Sequence, residues 1–493
     1  MDMYDILLAR NLGSGEGSTT NYNALSNKPE INGVPLQGNK TTEDLGLGTA
    51  AEKDYTNTVE DGSADLPTAD AVHDFVAAQV AYIDNSIDDV QEQVDTIREI
   101  IQTELYGFKI DKQDSNPETR VTYLYDAVGK YPAGMDFVNG VFRYGGWADA
   151  WFVKGAKPCA LRPDGTVAYY LNPNDYTKKE DGTDSDISDT TTDLNFMVQF
   201  PTVWIKRWED ARYQYVAISN KQIDDDFKAY AHMSEDGYVN DYVYFPMFKG
   251  SNIDDKMRSI AGQYPQTSTN ASNTFSLARA NGNDWYNWAL SGRAMINDLL
   301  TLISKATNSQ MVFGNGAMYD TSDATHLGMI ETGADDLTTG QFFGYTGLEY
   351  SKHVKVFHIE DYWGNRAERV LGLHLNDGLY KYKLIPPYHS AGGGGLPYIQ
   401  TALECADVGF FSEMHTGDFG FLPKPSETAG GGSLYWCDYF NCTKSGNMVS
   451  IVPFHSKATP TRNGYEALSI HIEVIYSSAL VGGSLMYIPP HSA

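Results

Sequence analysis

Between Val76 and Ile101 apolar residues recur with a heptad period, and no other stretch of the chain constrains its fold as strongly. With Val80 as position a, the a sites are Val80, Ile87, Val94 and Ile101, and the d sites are Val76, Ile83, Val90 and Ile97. Every core site over about three and a half heptads is β-branched, and none is polar. The d layer of a dimer suits leucine and packs β-branched chains poorly, so valine and isoleucine at both sites favour three strands over two. Ile100 at g widens the stripe. The e and g residues (Asp84, Gln91, Arg98; Gln79, Ser86, Gln93) spell no opposite-charge code that would select a different partner. The pattern predicts a parallel homotrimeric stalk. Its rival is a lone amphipathic helix lying on a core, which a sustained heptad repeat without caps disfavours.

Pro67-Thr68 precedes the repeat, with Thr68 placed to cap the helix and Asp70 in its first turn; Gly107 is the expected end. About 38 helical residues would make a rod on the order of 55 Å long. That rod defines two ends, so the sequence on each side can be read separately.

The chain has 493 residues, enough for about two or three domains. A formal net charge of −28 leaves no basic footprint, which argues against nucleic acid as a partner. A hydrophobic content of 42% is too high for disorder, and 33 tyrosines with 46 glycines suit β-rich folds with exposed aromatic recognition surfaces. Cys159, Cys405, Cys437 and Cys442 form no zinc-type pattern and read as reduced, buried thiols. The opening MDMYDILLAR has too short an apolar run for a signal peptide, and no span of membrane-crossing length follows, so no membrane insertion is expected.

Residues 1–67 read as an anchoring peptide, a Gly/Ser-rich link and a small turn-rich module. In that module Asn32-Gly33 between short apolar pairs predicts a tight hairpin turn, and Gly38-Asn39 a second turn. From Phe108 the sequence is rich in Gly, Tyr and Asp. Short strand-like runs start at Gly140, Trp151, Val167, Asn195, Val203 and Tyr213. Asn172 to Asp193 is an acidic, Ser/Thr-rich loop without the order of acids and glycine that an EF-hand needs, so a solvated loop is favoured over a calcium site. Met295, Ile296, Leu299, Leu300, Leu302 and Ile303 predict one helix over 291–306, with Ser291 as its cap. Ser309 to Gly314 reads as a strand.

Two stretches carry resemblances. NKPEINGVPLQGNKTTEDLG (Asn27–Gly46), followed by LGTAAEKDY (Leu47–Tyr55), resembles a module that recurs in bacteriophage tail and head fibres. That resemblance implies a virion appendage, with the module linking an anchor to a distal head. HIEDYWGNRAERV (His358–Val370) resembles a weakened form of the Gly-Asn-Val-Trp-Glu-Trp signature of formylglycine-generating-enzyme-like domains, which have a C-type lectin fold. Trp363, Gly364, Asn365 and Glu368 align, while Ala367 and Arg369 stand where the family has tryptophans. Gly430 to Trp436 and Leu480 to Pro489 resemble parts of phage lectin-like domains, and Asp111 to Met135 and Leu194 to Trp208 are more loosely similar to phage tail proteins. Physically, Gly364 and Asn365 suit a turn with φ > 0, and a buried Glu368 would tie down loop amides.

Catalytic patterns are thin. His353, His358, His374 and His389 show no metalloprotease or facial-triad spacing, no nucleophile elbow occurs, and Cys437 and Cys442 do not match the reactive pair of the oxidase branch of that family. With 64 acids, no carboxylate pair for glycoside hydrolysis stands out. Neither a cofactor nor an enzyme activity is expected. Recognition is better supported: the lectin-like resemblance places ligand contacts in C-terminal loops, which on this chain are Tyr435, Trp436, Tyr439, His455, Arg462 and Tyr465. Aromatic faces stack on sugars or anchor protein hot spots, with Arg setting orientation. The bland alternative makes Trp436 and Phe440 core.

The expected whole is a β-rich α+β chain. It comprises an anchor and fibre module (1–67), a trimeric coiled-coil stalk (68–107), a β-rich proximal part of the head (108–283) and a C-type-lectin-like domain (284–493). Its expected role is that of a virion fibre. The homotrimer would attach through its N-terminus to a tail or capsid protein and bind a glycan or protein on the host surface. A decorating head fibre and a tail-borne glycan depolymerase are the alternatives.

Overall fold

The computed structural model describes residues 30–35, 39–41, 43–46, 69–318, 329–333, 344–345, 353–390, 398–452 and 462–491; within the first helix the side chains of 69–75, 92 and 94–102 are outside the description. The chain divides into two compact units, Met1–Gln102 and Thr103–Ala493.

In the first unit, Ile31 and Val34 pair antiparallel across Asn32 and Gly33, whose φ values of 49° and 75° make the left-handed turn that Asn-Gly favours. Thr41 and Asp44 form a reciprocal cap, each backbone N–H donating to the other's side chain at 3.1 Å. The Gly38 turn and the Thr68 cap lie outside the described residues. A single helix then runs from Ala69 to Gln102. On it Val76, Val80, Ile83, Ile87 and Val90, five consecutive a and d positions, are 43% to 59% exposed among the described residues. The side chains of Val94, Ile97 and Ile101 are outside the description.

The helix stops five residues before Gly107. That glycine lies in the strand Leu105–Asp111, between Ala217 and Leu124 of its two neighbours. A Cβ there would come within 2.8 Å of both the Tyr125 ring and the Val216 carbonyl oxygen. Gly107 is therefore a contact requirement of a sheet and not a helix terminator.

The second unit is β-rich, built on three larger sheets. A four-stranded antiparallel sheet has the order Trp204–Glu209, Tyr213–Ser219, Leu105–Asp111, Val121–Tyr125. A seven-stranded sheet runs Trp285–Tyr286, Met486–Tyr487, Tyr242–Pro246, Asn195–Pro201, Lys157–Leu161, Val167–Asn172, Asp175–Lys179. The third centres on Ala367–Asn376 paired with Asn447–Val452, and Val481–Gly482 adds to it in parallel. Residues on both sides of 283 thus share one sheet: Tyr487 pairs with both Tyr244 and Trp285. The Tyr487 ring also packs on Gly165, whose φ of +82° and lack of Cβ allow the approach. The proximal and lectin-like parts expected from sequence are one compact unit.

At the centre lies the helix Leu290–Ser304, all of whose residues are buried. A helix buried all round needs its polar side chains satisfied internally. Asn297 donates to the Tyr465 carbonyl at 2.9 Å and accepts from the Tyr362 hydroxyl at 2.8 Å, and the Arg293 guanidinium lies 4.0 Å from the Tyr362 ring centre. The helix starts from Ala289 without a side-chain cap, and Ser291 instead faces the Tyr388 hydroxyl at 3.4 Å. It ends at Lys305, whose left-handed φ of 55° lets its N–H reach the Thr301 carbonyl.

Two other local expectations change. Ser309–Phe313 is a short helix, started by the Asn308 side chain accepting from the Met311 N–H. Trp151–Gly155 is also helical, with Phe152 and Val153 buried. Within the acidic loop, Asp175 to Lys179 forms a strand, and Asp181, Asp186 and Asp189 each accept from the backbone and hydroxyl of a Ser or Thr two residues on.

Candidate ligand-binding surface

The six side chains predicted to bind ligand do not form one surface. Trp436 is fully buried, its ring 5.1 Å from Phe421 and the Arg120 guanidinium 5.4 Å away. Tyr465 is 2% exposed, and its hydroxyl is 3.0 Å from Thr301 Oγ1 while donating to the Ala306 carbonyl at 3.1 Å. Neither presents a face to a ligand, and Phe440 is core too. Tyr435 is half-buried, with φ of 60°; its N–H donates to the Ser115 carbonyl and Arg120 lies over its ring at 5.3 Å. Tyr439 and Arg462 do come together, the guanidinium 4.2 Å above the ring, and both are partly exposed. His455 lies outside the described residues.

Why the aromatic segment turns inward is visible at Asp438. Its carboxylate accepts from the Glu466 N–H (2.9 Å), Ser309 Oγ (3.1 Å) and Gln310 Nε2 (3.0 Å), fastening this loop to two other segments. Complete burial raises its pKa well above the usual carboxylate range despite those donors. All four cysteines are free thiols. Cys442 shares a hydrogen bond with Cys405, which holds Cys442 below and Cys405 above the ordinary thiol range; Cys437 is raised by burial.

The tryptophan-containing motif is structural. Gly364 and Asn365 have φ of 90° and 57°, as the turn requires. Asn365 clasps Ile330 through both of its amide atoms at 3.0 Å and donates to Asp361 at 2.8 Å, so the asparagine ties down the loop. Glu368 is buried as expected, yet its partners are the Lys249 ammonium at 3.2 Å and the Ser484 hydroxyl, not loop amides. Trp363 is fully buried.

Beside the motif, His353, Glu360 and Asp361 bring donor atoms within 4.8 Å of one another, all buried. His353 Nδ1 is 2.8 Å from Asp361 Oδ1 and 3.8 Å from Glu360 Oε1, and Glu360 accepts from the Gly333 N–H at 2.8 Å. Burial raises Glu360, with His353 and Lys355 opposing the rise. The donor set suits a divalent cation. The same charges also balance among themselves, two carboxylates against Lys355 and a protonatable imidazole.

A cavity of about 610 Å³ lies elsewhere. One lip is the hairpin Gly134–Asp136/Val141–Arg143, and the other is the turn joining Val167–Asn172 to Asp175–Lys179. Phe142, Tyr144 and Tyr170 supply aromatic surface; Lys154, Lys157, Asn174 and Glu180 supply polar groups; His358 closes the back. His358 and its neighbour Phe357 have φ of 64° and 50° in a two-residue hairpin turn, where Asn and Gly are the easy choices. Phe357 is driven into the core against Phe200, 5.5 Å between centroids, and His358 Nδ1 pairs with the Tyr176 hydroxyl. Sequence reading missed this cavity. Its walls come from residues 140–180 and 358, and only the positive φ values at 357 and 358, which no residue type advertises, mark the convergence.

No protein-family model matches the chain, and no curated protein is significantly similar to it. Among the described residues no helix is long and apolar enough to cross a membrane.

Proposed function

We propose that this chain is a bacteriophage fibre protein whose head binds the host cell surface. The observation that carries the proposal is the run of exposed β-branched side chains from Val76 to Val90 on a 34-residue helix. Such a stripe is costly in water unless other copies cover it, and its heptad period suits three parallel helices. The fibre-like module before the helix supports a virion anchor on one side. The formylglycine-generating-enzyme-like motif after it, with its left-handed turn and buried Glu368, supports a C-type-lectin-like head on the other. Three heads on one stalk would gain avidity through effective concentration even if each bound weakly.

The test uses labelled full-length protein on a panel of candidate bacterial hosts, with and without enzymatic removal of surface glycans. Saturable adsorption to particular strains supports the proposal. Absence of adsorption to every strain on a broad panel of bacteria would overturn it.

A further inference from the structure

We infer that the cavity between the Gly134–Arg143 hairpin and the Pro173–Asn174 turn is a saccharide-binding subsite. The inference rests on the adhesive reading for its biological purpose, but not for the chemistry of binding.

Size comes first. A volume of about 610 Å³ is in the range of small-ligand sites and has room for about two or three sugar rings. The wall chemistry then narrows the class. Tyr144 and Tyr170 supply ring surface, and between them stand donors (Lys154, Lys157) and an acceptor (Glu180), with Asn174 able to act as both. A ligand that is apolar on its faces and hydroxylated around its rim satisfies that mixture. A peptide would leave much of the aromatic surface unused.

The aromatic walls are held rigidly. The Tyr170 hydroxyl donates to Gln199 Oε1 at 2.9 Å, and Gln199 Nε2 donates to the Tyr244 hydroxyl at 2.9 Å, so a buried relay fixes the ring. Phe142 meets the Tyr144 ring edge-on at 5.1 Å. Lys157 is exposed and has no carboxylate partner among the described residues; its ammonium lies 5.3 Å from the Tyr170 ring centre. Lys154, by contrast, is paired with Asp149 at 2.8 Å. Preorganised rings next to an uncommitted cation cut the ordering cost of binding. The back wall adds an independent sign. Phe357 and His358 hold left-handed conformations that are strained for residues other than Gly and Asn, and strain of this kind gathers at functional sites.

The experiment is a glycan array probed with the full-length protein, followed by calorimetry with the best di- or trisaccharide for wild type, Tyr170→Ala, Tyr170→Phe and Lys157→Ala. Thermal melting of each variant checks its fold. The expected result is saccharide binding that falls about tenfold or more in Tyr170→Ala, falls less in Lys157→Ala, and is largely kept in Tyr170→Phe, which retains the ring. No binding anywhere on the array, binding insensitive to Tyr170→Ala, or preference for unstructured peptides would each overturn the inference. Cell adsorption separates the two proposals. If Tyr170→Ala loses the sugar but still adsorbs, wild-type sugar binding confirms the subsite and adsorption belongs to another surface. Sugar binding by a protein that adsorbs to no host keeps the subsite and removes the adhesive role.

Discussion

Arg207 grips Asp298 with two nitrogens inside the second compact unit: Nε lies 2.8 Å from Oδ2, and Nη2 donates to the same oxygen. The arginine belongs to the strand Trp204–Glu209 and the aspartate to the central helix, so the pair pins the four-stranded sheet to that helix. Their side chains are 5% and 1% exposed. Burial pushes Asp298 up to about 6 even with the guanidinium beside it.

Replacing Arg207 with Met leaves a buried carboxylate without its cation and should cost roughly 4 kcal/mol, measured by denaturant unfolding. Adding Asp298→Leu should recover part of the loss, and strict additivity in the double-mutant cycle would mean that the pair is not coupled. The pH dependence has a definite sign. The folded pKa is raised above the unfolded value of 3.8, so the native state holds the proton more tightly. The contribution of Asp298 to stability therefore falls as pH rises from about 4 to 6, by roughly 3 kcal/mol. That component should vanish in Asp298→Asn.

His232 should act in the opposite direction. It is fully buried, neither ring nitrogen has a hydrogen-bond partner among the described residues, and burial lowers its pKa to about 3. The unfolded chain takes up the proton first, so stability is complete above pH 6.5 and is lost as pH falls from 6.5 towards 3. The loss at the acid end is roughly 5 kcal/mol. Unfolding curves at pH 7 and pH 4 should converge for His232→Leu relative to wild type, after allowing for its general destabilisation.

The exposed stripe makes a prediction about assembly. Light scattering at micromolar concentration should return the mass of three chains. Ile83→Asp combined with Ile87→Asp puts three carboxylates into each of two adjacent layers and should yield monomers with folded heads. A trimer that survives the double change would transfer the assembly role away from the helix.

Trp436 and Tyr439 separate core from surface within a few residues. Trp436→Ala should lower the melting temperature strongly, since truncating a fully buried tryptophan costs about 3–5 kcal/mol. Tyr439→Ala should lower melting far less, because the ring is partly exposed and its neighbours Arg462 and Phe410 are themselves partly exposed. A reversal of that order would show that the segment is packed differently.

The long helix was legible because a heptad repeat is a one-dimensional signal: the spacing that makes the stripe is written in consecutive residues. The Asn32-Gly33 turn and the central helix were legible on similar local grounds. Gly107 was not, since its absent Cβ answers to the Tyr125 ring and the Val216 carbonyl, which reach it through sheet pairing. Ser309–Phe313 shows a missed local cue, for Asn308 two residues before Gln310 is a helix-capping residue by type. At the candidate sites, residue type alone misled. Tyr, Trp and Phe are as useful to a core as to a ligand surface, and Trp436 goes inward against Phe421 beside the buried anchor Asp438, partners that lie far from it in sequence or carry no local signal. The 610 Å³ cavity depends on His358 arriving beside residues near 170, a juxtaposition that sequence spacing does not encode.

The strand Met486–Tyr487 sits between Tyr242–Pro246 and Trp285–Tyr286, and its consequence lies in time rather than in space. While the chain is being made, the helix Ala69–Gln102 and the first two hundred residues of the second unit leave the ribosome long before Tyr487 exists. Through that interval the strand Tyr242–Pro246 has an open hydrogen-bonding edge, and loop closure between such distant partners is slow. Nascent chains are therefore most open to mispairing with one another through that edge before their last strand is made. A chaperone able to cover that edge should raise the yield of native protein, and slower synthesis, which prolongs its exposure, should lower it.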